Sequence, residues 1–449
     1  LCGLSFSLVF GVAEGFAAPP LRWNEPAGGV WDATTPNWLD AGDNAVAWIP
    51  GAEAVFEGAG GLIEIAADVS ATNLTFTGNG YTLLGAGRLY VEGVLTAAAA
   101  TTNCIVADLC TAGGLTKSGA GALALARCAG LVSVQGGSLL AAGSLFVDAE
   151  IAVAADASLV TLGEPDSGAN LIVNGSFETP ALSSGGWSYS VPSGWTVVYP
   201  NYVGRQNTKS VAGYNNPWNA AGTSPDGDQM MILQYGGTAA QTVTVPADGL
   251  YSIAFSYLMR SDNRETQVYL TLDGIPFATF LNRSPQTAPG RFVSGALWLT
   301  AGSHTLGIGG EHGWGDRSTM VDLVCFAAPS SAQPCRALGG DSVLKVVDAA
   351  NVVMEHTGTT PIAYVAINGT AASGTFNASH ASGVFSGSGS LACATPANIY
   401  AWSGVGSWSD ATHWADGVAP VAGGGRDLLV RFPSATGVAS ANDLAGEFL

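Results

Sequence analysis

From Asn73 the chain reads NLTFTGNGYTLLGAGRLYVEGVLTAAAATT, short runs in which Leu, Val, Ile and Phe alternate with Thr, Ser or Ala. Alternation at period two puts the aliphatic side chains on one face of a strand. Each run stops at Gly or Asn-Gly, where a left-handed backbone costs little. The 3.6-residue period of a helix is not sustained in this part of the chain. Short strands separated by small residues and Gly corners predict a solenoid of stacked β-coils with the aliphatics inside. The centre has longer strand patterns: DGDQMMILQYGGTAAQTVTVPADGLYSIAFSYLMR from Asp226, then TQVYLTLDGIPFATF from Thr266. Asp273-Gly274 marks a tight hairpin there. GALWLTAGSHTLGIGG and STMVDLVCF complete a predicted sheet pair.

Composition draws the same boundary. The 449 residues carry 34 acids and 15 bases, a net charge of −19, with only 11% charged residues and 61 Gly. Residues 169–327 hold 19 of the 40 aromatics and four of the five Met. That segment has seven bases against ten acids, or −3; the other 290 residues have eight against 24, or −16. Two kinds of structure are therefore joined. The basic footprint that nucleic acid requires is absent. With three Lys (Lys117, Lys209, Lys345) the chain is not a long helical protein. Gly without an every-third-residue period excludes collagen.

Residues 1–18, LCGLSFSLVFGVAEGFAA before Pro19-Pro20, resemble a secretory signal peptide without its charged start. A buried strand is the alternative. Seven Cys are present and none forms a C-x-x-C, so zinc and thioredoxin-like chemistry have no support. Export permits disulfides. Cys325 with Cys335 and Cys104 with Cys128 are the favoured pairings, against buried free thiols.

Gly113 to Gly143 reads GGLTKSGAGALALARCAGLVSVQGGSLLAAG. Gly114-Leu115-Thr116-Lys117, Ser118 to Leu123, and Val134 with Gly137-Ser138-Leu139 closely resemble the autotransporter-associated β-strand repeat. Arg127 to Gly130 departs from its usual turn. The resemblance implies a right-handed, parallel β-helix-like solenoid in a secreted or cell-surface bacterial protein associated with the outer membrane. A larger repeat sets Trp23, Trp31 and Trp38 against Trp402, Trp408 and Trp414. These Trp clusters either cap a coil stack, whose open end must be covered, or bind sugar. The expected organisation is a solenoid over 19–168, an inserted domain over 169–327, a closing solenoid part over 328–398 and the start of a second module over 399–449. The second module breaks off early, which suggests a fragment whose membrane anchor would lie beyond the sequence given.

In the insert, NGSFE (Asn174 to Glu178) followed by Gly194-Trp195 resembles the first strand of galactose-binding-like jelly rolls, many of them carbohydrate-binding modules. The whole reading is thus all-β, a solenoid interrupted by a β-sandwich jelly roll. In the resembling family a carboxylate after the first strand and another near the last often share a structural Ca2+. The matching positions are Glu178 and Asp322, with backbone oxygen near Ser176. Ca2+ takes six to eight oxygens, so two carboxylates supply only part, and ordinary strand-end acids are the alternative. Sugar binding needs an aromatic with polar groups nearby. Two Gly/Asn-rich segments offer this: Tyr214, Asn216 and Trp218 in one, His312, Trp314 and Asp316 in the other. Trp187, Trp195 and Trp298 lie in strand-like runs and are assigned to the core.

Nucleophile elbows, zincin motifs, dinucleotide fingerprints and P-loops are missing from the sequence. The expected function is non-enzymatic: a solenoid stalk displaying a jelly roll that binds a polysaccharide or cell-surface glycan. A polysaccharide lyase or glycoside hydrolase on the solenoid face is the enzymatic alternative. A purely structural surface protein is the third.

Overall fold

The computed structural model of the chain describes residues 18–26, 28–111, 113–127, 130–144, 149–199, 202–208, 224–259, 266–282, 289–311, 318–393, 398–402, 405–414, 428–431 and 439–441. The leader-like residues 1–17 and Cys128 lie outside these. Strands account for 55% of the protein and helix for 2%, so the fold is all-β. Among the described residues no helix is long and apolar enough to cross a membrane.

Two long parallel stacks form the solenoid. In the first, Ala54–Phe56, Leu74–Phe76, Val94–Ala97, Leu115–Ser118, Gly130–Val134 and Ala149–Val153 follow one another, with Leu74 facing Leu95 and Lys117 facing Val134. In the second, Leu62–Ile65, Thr82–Leu84, Thr102–Ile105, Ala122–Leu125, Gly137–Ala141 and Ala157–Leu162 do the same. Leu74, Leu95, Leu83, Leu123 and Leu159 meet in one buried core, as period-two alternation requires. Gly85 (φ 144°) and Gly119 (φ 73°) turn the corners, where a Cβ would overlap the Ile65 and Ala97 carbonyls of the preceding coil.

The stack is interrupted after Leu162 and resumes in register. Val153 pairs in parallel with Val346, and Leu159 with Val352. The chain leaves and returns through a narrow neck, where Gly163 bridges Cys335 and Pro165 bridges Pro329. At this neck the buried Glu164 accepts Arg291 Nε at 2.9 Å and Arg336 Nε at 2.8 Å, tying insert to coil. Cys325 and Cys335 are separate buried thiols and do not form the expected pairing; Cys104 is free too. Cys325 Sγ faces the Asp166 carbonyl at 3.6 Å, whereas Cys335 Sγ receives the Ala337 amide at 3.3 Å inside the coil core.

At the start of the solenoid, Trp31, Trp38 and Trp48 are buried, with ring centroids 4.6 to 4.9 Å apart, and Trp38 lies 5.1 Å from Trp23. They pack over Phe56, so this cluster is a cap and not a sugar platform. Trp23 faces Trp38 across an antiparallel pair, and Trp402 faces Trp414 in the same way at 4.9 Å. Antiparallel strands, Trp38–Leu39 at one end and Thr370–Ala372 at the other, cover the parallel stack where its edges would invite further pairing.

The insert is a sandwich of two antiparallel sheets. One runs Trp187–Ser188, Val203–Asn207, Gln229–Gln234, Ser318–Ala327, Gly249–Met259, Gly290–Val293; the other runs Thr196–Tyr199, Thr238–Val245, Gly302–Glu311, Thr266–Leu272, Ile275–Asn282. It is docked on the solenoid. Leu84, Cys104, Ala124, Leu140 and Leu162 point out of the second stack and share one core with Phe255, Phe292 and Leu297 of the sandwich. Thr82 Oγ1 donates to the Trp298 carbonyl and accepts its amide, both at 2.9 Å. That explains the apolar runs ALAL and SLLAA: this sheet is covered on both faces.

Candidate functional site

The edge of the sandwich remote from the solenoid carries a strip of exposed aromatic rings. Trp187 begins the edge strand, with Trp187 opposite Gln206 and Ser188 opposite Arg205. Tyr189 follows at the same alternation, Tyr202 stands just before Val203–Asn207, and Tyr235 just after Gln229–Gln234. Trp187 is 52% exposed and the three Tyr 39–42%. Ring centroids run 5.3 Å from Trp187 to Tyr189, 5.8 Å to Tyr202 and 4.9 Å to Tyr235. Trp187 and Tyr202 each stand nearly perpendicular to Tyr189, at 79° and 78°.

The strip is held from below. Tyr189 donates its hydroxyl to Gln234 Oε1, on the neighbouring strand. Arg205 is buried, and its Nη2 donates to Ser190 Oγ at 2.5 Å, fixing the segment behind Tyr189. Its Nη1 is buried without a partner. Tyr235 has φ 49°, a left-handed backbone that bulky side chains rarely adopt. Its turn is closed by the Gly237 amide on the Gln234 carbonyl at 2.9 Å. Backbone held in such a region is a recurrent mark of binding sites. An apolar strip edged by amide and hydroxyl groups can stack on flat apolar surfaces while hydrogen-bonding their polar rims.

Sequence reasoning missed this strip and assigned Trp187 to the core. Two signals were present: the W-S-Y spacing of Trp187 and Tyr189, and the placing of Tyr202 and Tyr235 at the ends of strand-like runs. Of the other Trp, Trp195 is buried as expected, while Trp298 lies at the seam with the solenoid.

The structure brings Glu178 and Asp322 to one segment at the other end of the same sheet. Glu178 Oε1 accepts the Asp228 and Gln229 amides at 2.9 and 2.7 Å. Asp322 Oδ2 accepts the Asp226 amide at 3.1 Å, and Oδ1 that of Leu323 at 2.7 Å. Asp322 is fully buried, and burial, with Asp226 and Glu178 nearby, pushes its carboxyl up to about 8. Ser176 lies in the turn before Phe177. An oxygen-only set around a buried acid fits the chemistry of Ca2+, which would settle the charge that burial penalises. Among the described residues no three His, Cys, Asp or Glu side chains gather to hold a metal. Remaining ligands would have to be backbone oxygens.

Tyr214, Asn216 and Trp218, and likewise His312, Trp314 and Asp316, lie outside the described residues. The strands they join are described. The strand Gln229–Gln234 pairs with Val203–Asn207 on one side and with Ser318–Ala327 on the other.

Residues 169–311 match the model of the HpiC1-like family, described as HpiC1 cyclase. No curated protein matches the chain in sequence. Solved structures with similarity include TmCBM61 in complex with beta-1,4-galactotriose, at 15% identity and TM-score 0.26, covering 35% of this chain and 98% of that one. The CBM22-1 xylan-binding domain of Paenibacillus barcinonensis Xyn10C matches at 12% and 0.21, covering 33% and 97%. A Bacillus subtilis family 43 arabinoxylan arabinofuranohydrolase matches at 16% and 0.20, covering 24% and 23%. The structures it resembles thus include carbohydrate-binding modules and glycoside hydrolases.

Proposed function

We propose that the chain is a non-enzymatic, secreted or cell-surface repeat protein, whose solenoid of the autotransporter-associated type holds out a carbohydrate-binding jelly roll. The exposed strip of Trp187, Tyr189, Tyr202 and Tyr235 carries this reading. Sugars present C–H faces to aromatic rings and hydroxyls to amides, and contiguous exposed rings on an otherwise ordinary surface mark a binding site. His312, Trp314 and Asp316, and Tyr214, Asn216 and Trp218, stay proposed sugar contacts on the composition of their segments. Structural Ca2+ at Glu178 and Asp322 would lock the opposite end. Screening the full chain on a glycan array tests the reading: binding that Trp187→Ala abolishes supports it, and silence across the array refutes it.

The match to a cyclase family favours a second reading, an enzyme in the sandwich. Asp322, pushed up to about 8, keeps its proton at neutral pH, the state a general acid needs. Its complete burial is the obstacle. Product formation that Asp322→Asn abolishes without unfolding would replace the binding reading.

A further inference from the structure

We propose that the aromatic strip binds a linear, uncharged polysaccharide side-on, along several consecutive sugars, and does not capture a chain end. This rests on the carbohydrate-binding reading above. Three observations point to it. The rings follow one another as a series, Trp187 to Tyr189 to Tyr202 to Tyr235, with centroid steps of 4.9 to 5.8 Å. Four rings in series offer contacts to more than one sugar of a chain. A terminal-sugar site encloses its ligand; these four rings are 39–52% exposed along the whole line.

The second observation is orientation. In the sheet order, three strands separate the Val203–Asn207 strand beside the strip from Gly290–Val293 at the docked edge. That docked edge is held by Ser144, whose amide donates to the Val293 carbonyl at 2.8 Å. The other sheet also meets the coil at its far strand, where Arg127 reaches the Thr279 carbonyl at 3.1 Å. In strand order the strip thus lies at the edge opposite the strands docked on the coil stack.

The third observation is charge. Among the described residues the polar groups along the strip are Ser188, Ser190 and Gln234, all neutral, and the Arg205 guanidinium beneath is buried, with Nε and Nη2 donating to Ser190. Acidic sugars would find no exposed counter-charge among these residues. Trp187 and Tyr202, both nearly perpendicular to Tyr189, supply the two stacking faces, with Tyr189 as the edge between them.

The test uses the full chain in native gels containing xylan, mixed-linkage β-glucan, galactan, galactomannan or polygalacturonate. Oligosaccharides of one to six units from the retarding polymer then serve as competitors. Side-on binding predicts retardation by a neutral polymer and not by polygalacturonate. Competition should strengthen at least tenfold from monosaccharide to tetrasaccharide and then level off. Trp187→Ala and Tyr202→Ala should each weaken retardation about tenfold with unchanged Tm. A monosaccharide competing as well as the hexasaccharide overturns side-on binding while leaving the carbohydrate reading intact. Retardation unaffected by both substitutions overturns the strip as the site. No retardation by any polymer overturns both.

Discussion

Lys117 is fully buried in the solenoid, and its ammonium donates to three backbone carbonyls: Gly119 at 2.8 Å, Gly121 at 2.6 Å and Gly136 at 2.7 Å. Burial pushes its pKa down to about 8, so it is charged at neutral pH. Replacing it with Met keeps the volume and removes the donors. Buried ion pairs are often replaced by hydrophobic residues without loss, because both partners go. Here the partners are main chain and stay. Three hydrogen bonds from a charged donor contribute roughly 1.5–3 kcal/mol each. The fall of its pKa from 10.5 to about 8 corresponds to about 3 kcal/mol, the cost of burying the charge. The net loss for Lys117→Met is roughly 1.5–6 kcal/mol. A coil stack need not melt as one unit, so native-state hydrogen exchange is the assay. Amides of Leu115–Ser118 and Gly130–Val134 should exchange roughly a hundredfold faster, as about 3 kcal/mol requires. The pH arm is independent. With the folded pKa below the unfolded one, the native state sheds this proton first. Wild-type stability relative to the variant should therefore rise between pH 8 and 10.5, by up to about 1.4 kcal/mol per unit. Exchange in Lys117→Met equal to or slower than wild type would refute the argument.

The remaining predictions concern the insert. Glu164→Ala removes the acceptor shared by Arg291 and Arg336; both arginines keep partial solvent contact, so the loss should be about 2 kcal/mol, read by calorimetry as earlier melting of the insert. His304 gains a proton-stabilising partner in Asp273 at 2.7 Å, raising its pKa; that stability is complete below about pH 6.5 and fades as pH rises through the folded value. Asp273→Asn should flatten this slope in Tm measured from pH 5 to 8. If Ca2+ sits at Glu178 and Asp322, chelator should lower the insert's Tm and Ca2+ restore it; Glu178→Gln should lose the response, and a chelator-insensitive Tm would refute the site.

The alternating runs after Asn73 and the Gly corners were sufficient to read a β-coil stack. The reason is local: strand period and left-handed Gly are properties of neighbouring residues. The concentration of aromatics in the centre was also legible. Trp187 was not, because burial of a strand residue depends on whether anything covers its face. The apolar runs ALAL and SLLAA did contain a signal for the covering insert, since a strand buried on one side only would alternate with polar residues.

By itself, then, the sequence determined the all-β character, the stacked-coil pattern and the distinct composition of residues 169–327. Tertiary structure alone decided where the insert docks, that Trp23, Trp31 and Trp38 close a core, and that Trp187, Tyr189, Tyr202 and Tyr235 line one outer edge. Those four residues span 49 positions of chain. Only sheet order brings their strands side by side, and sheet order is set by long-range pairing that no local pattern encodes.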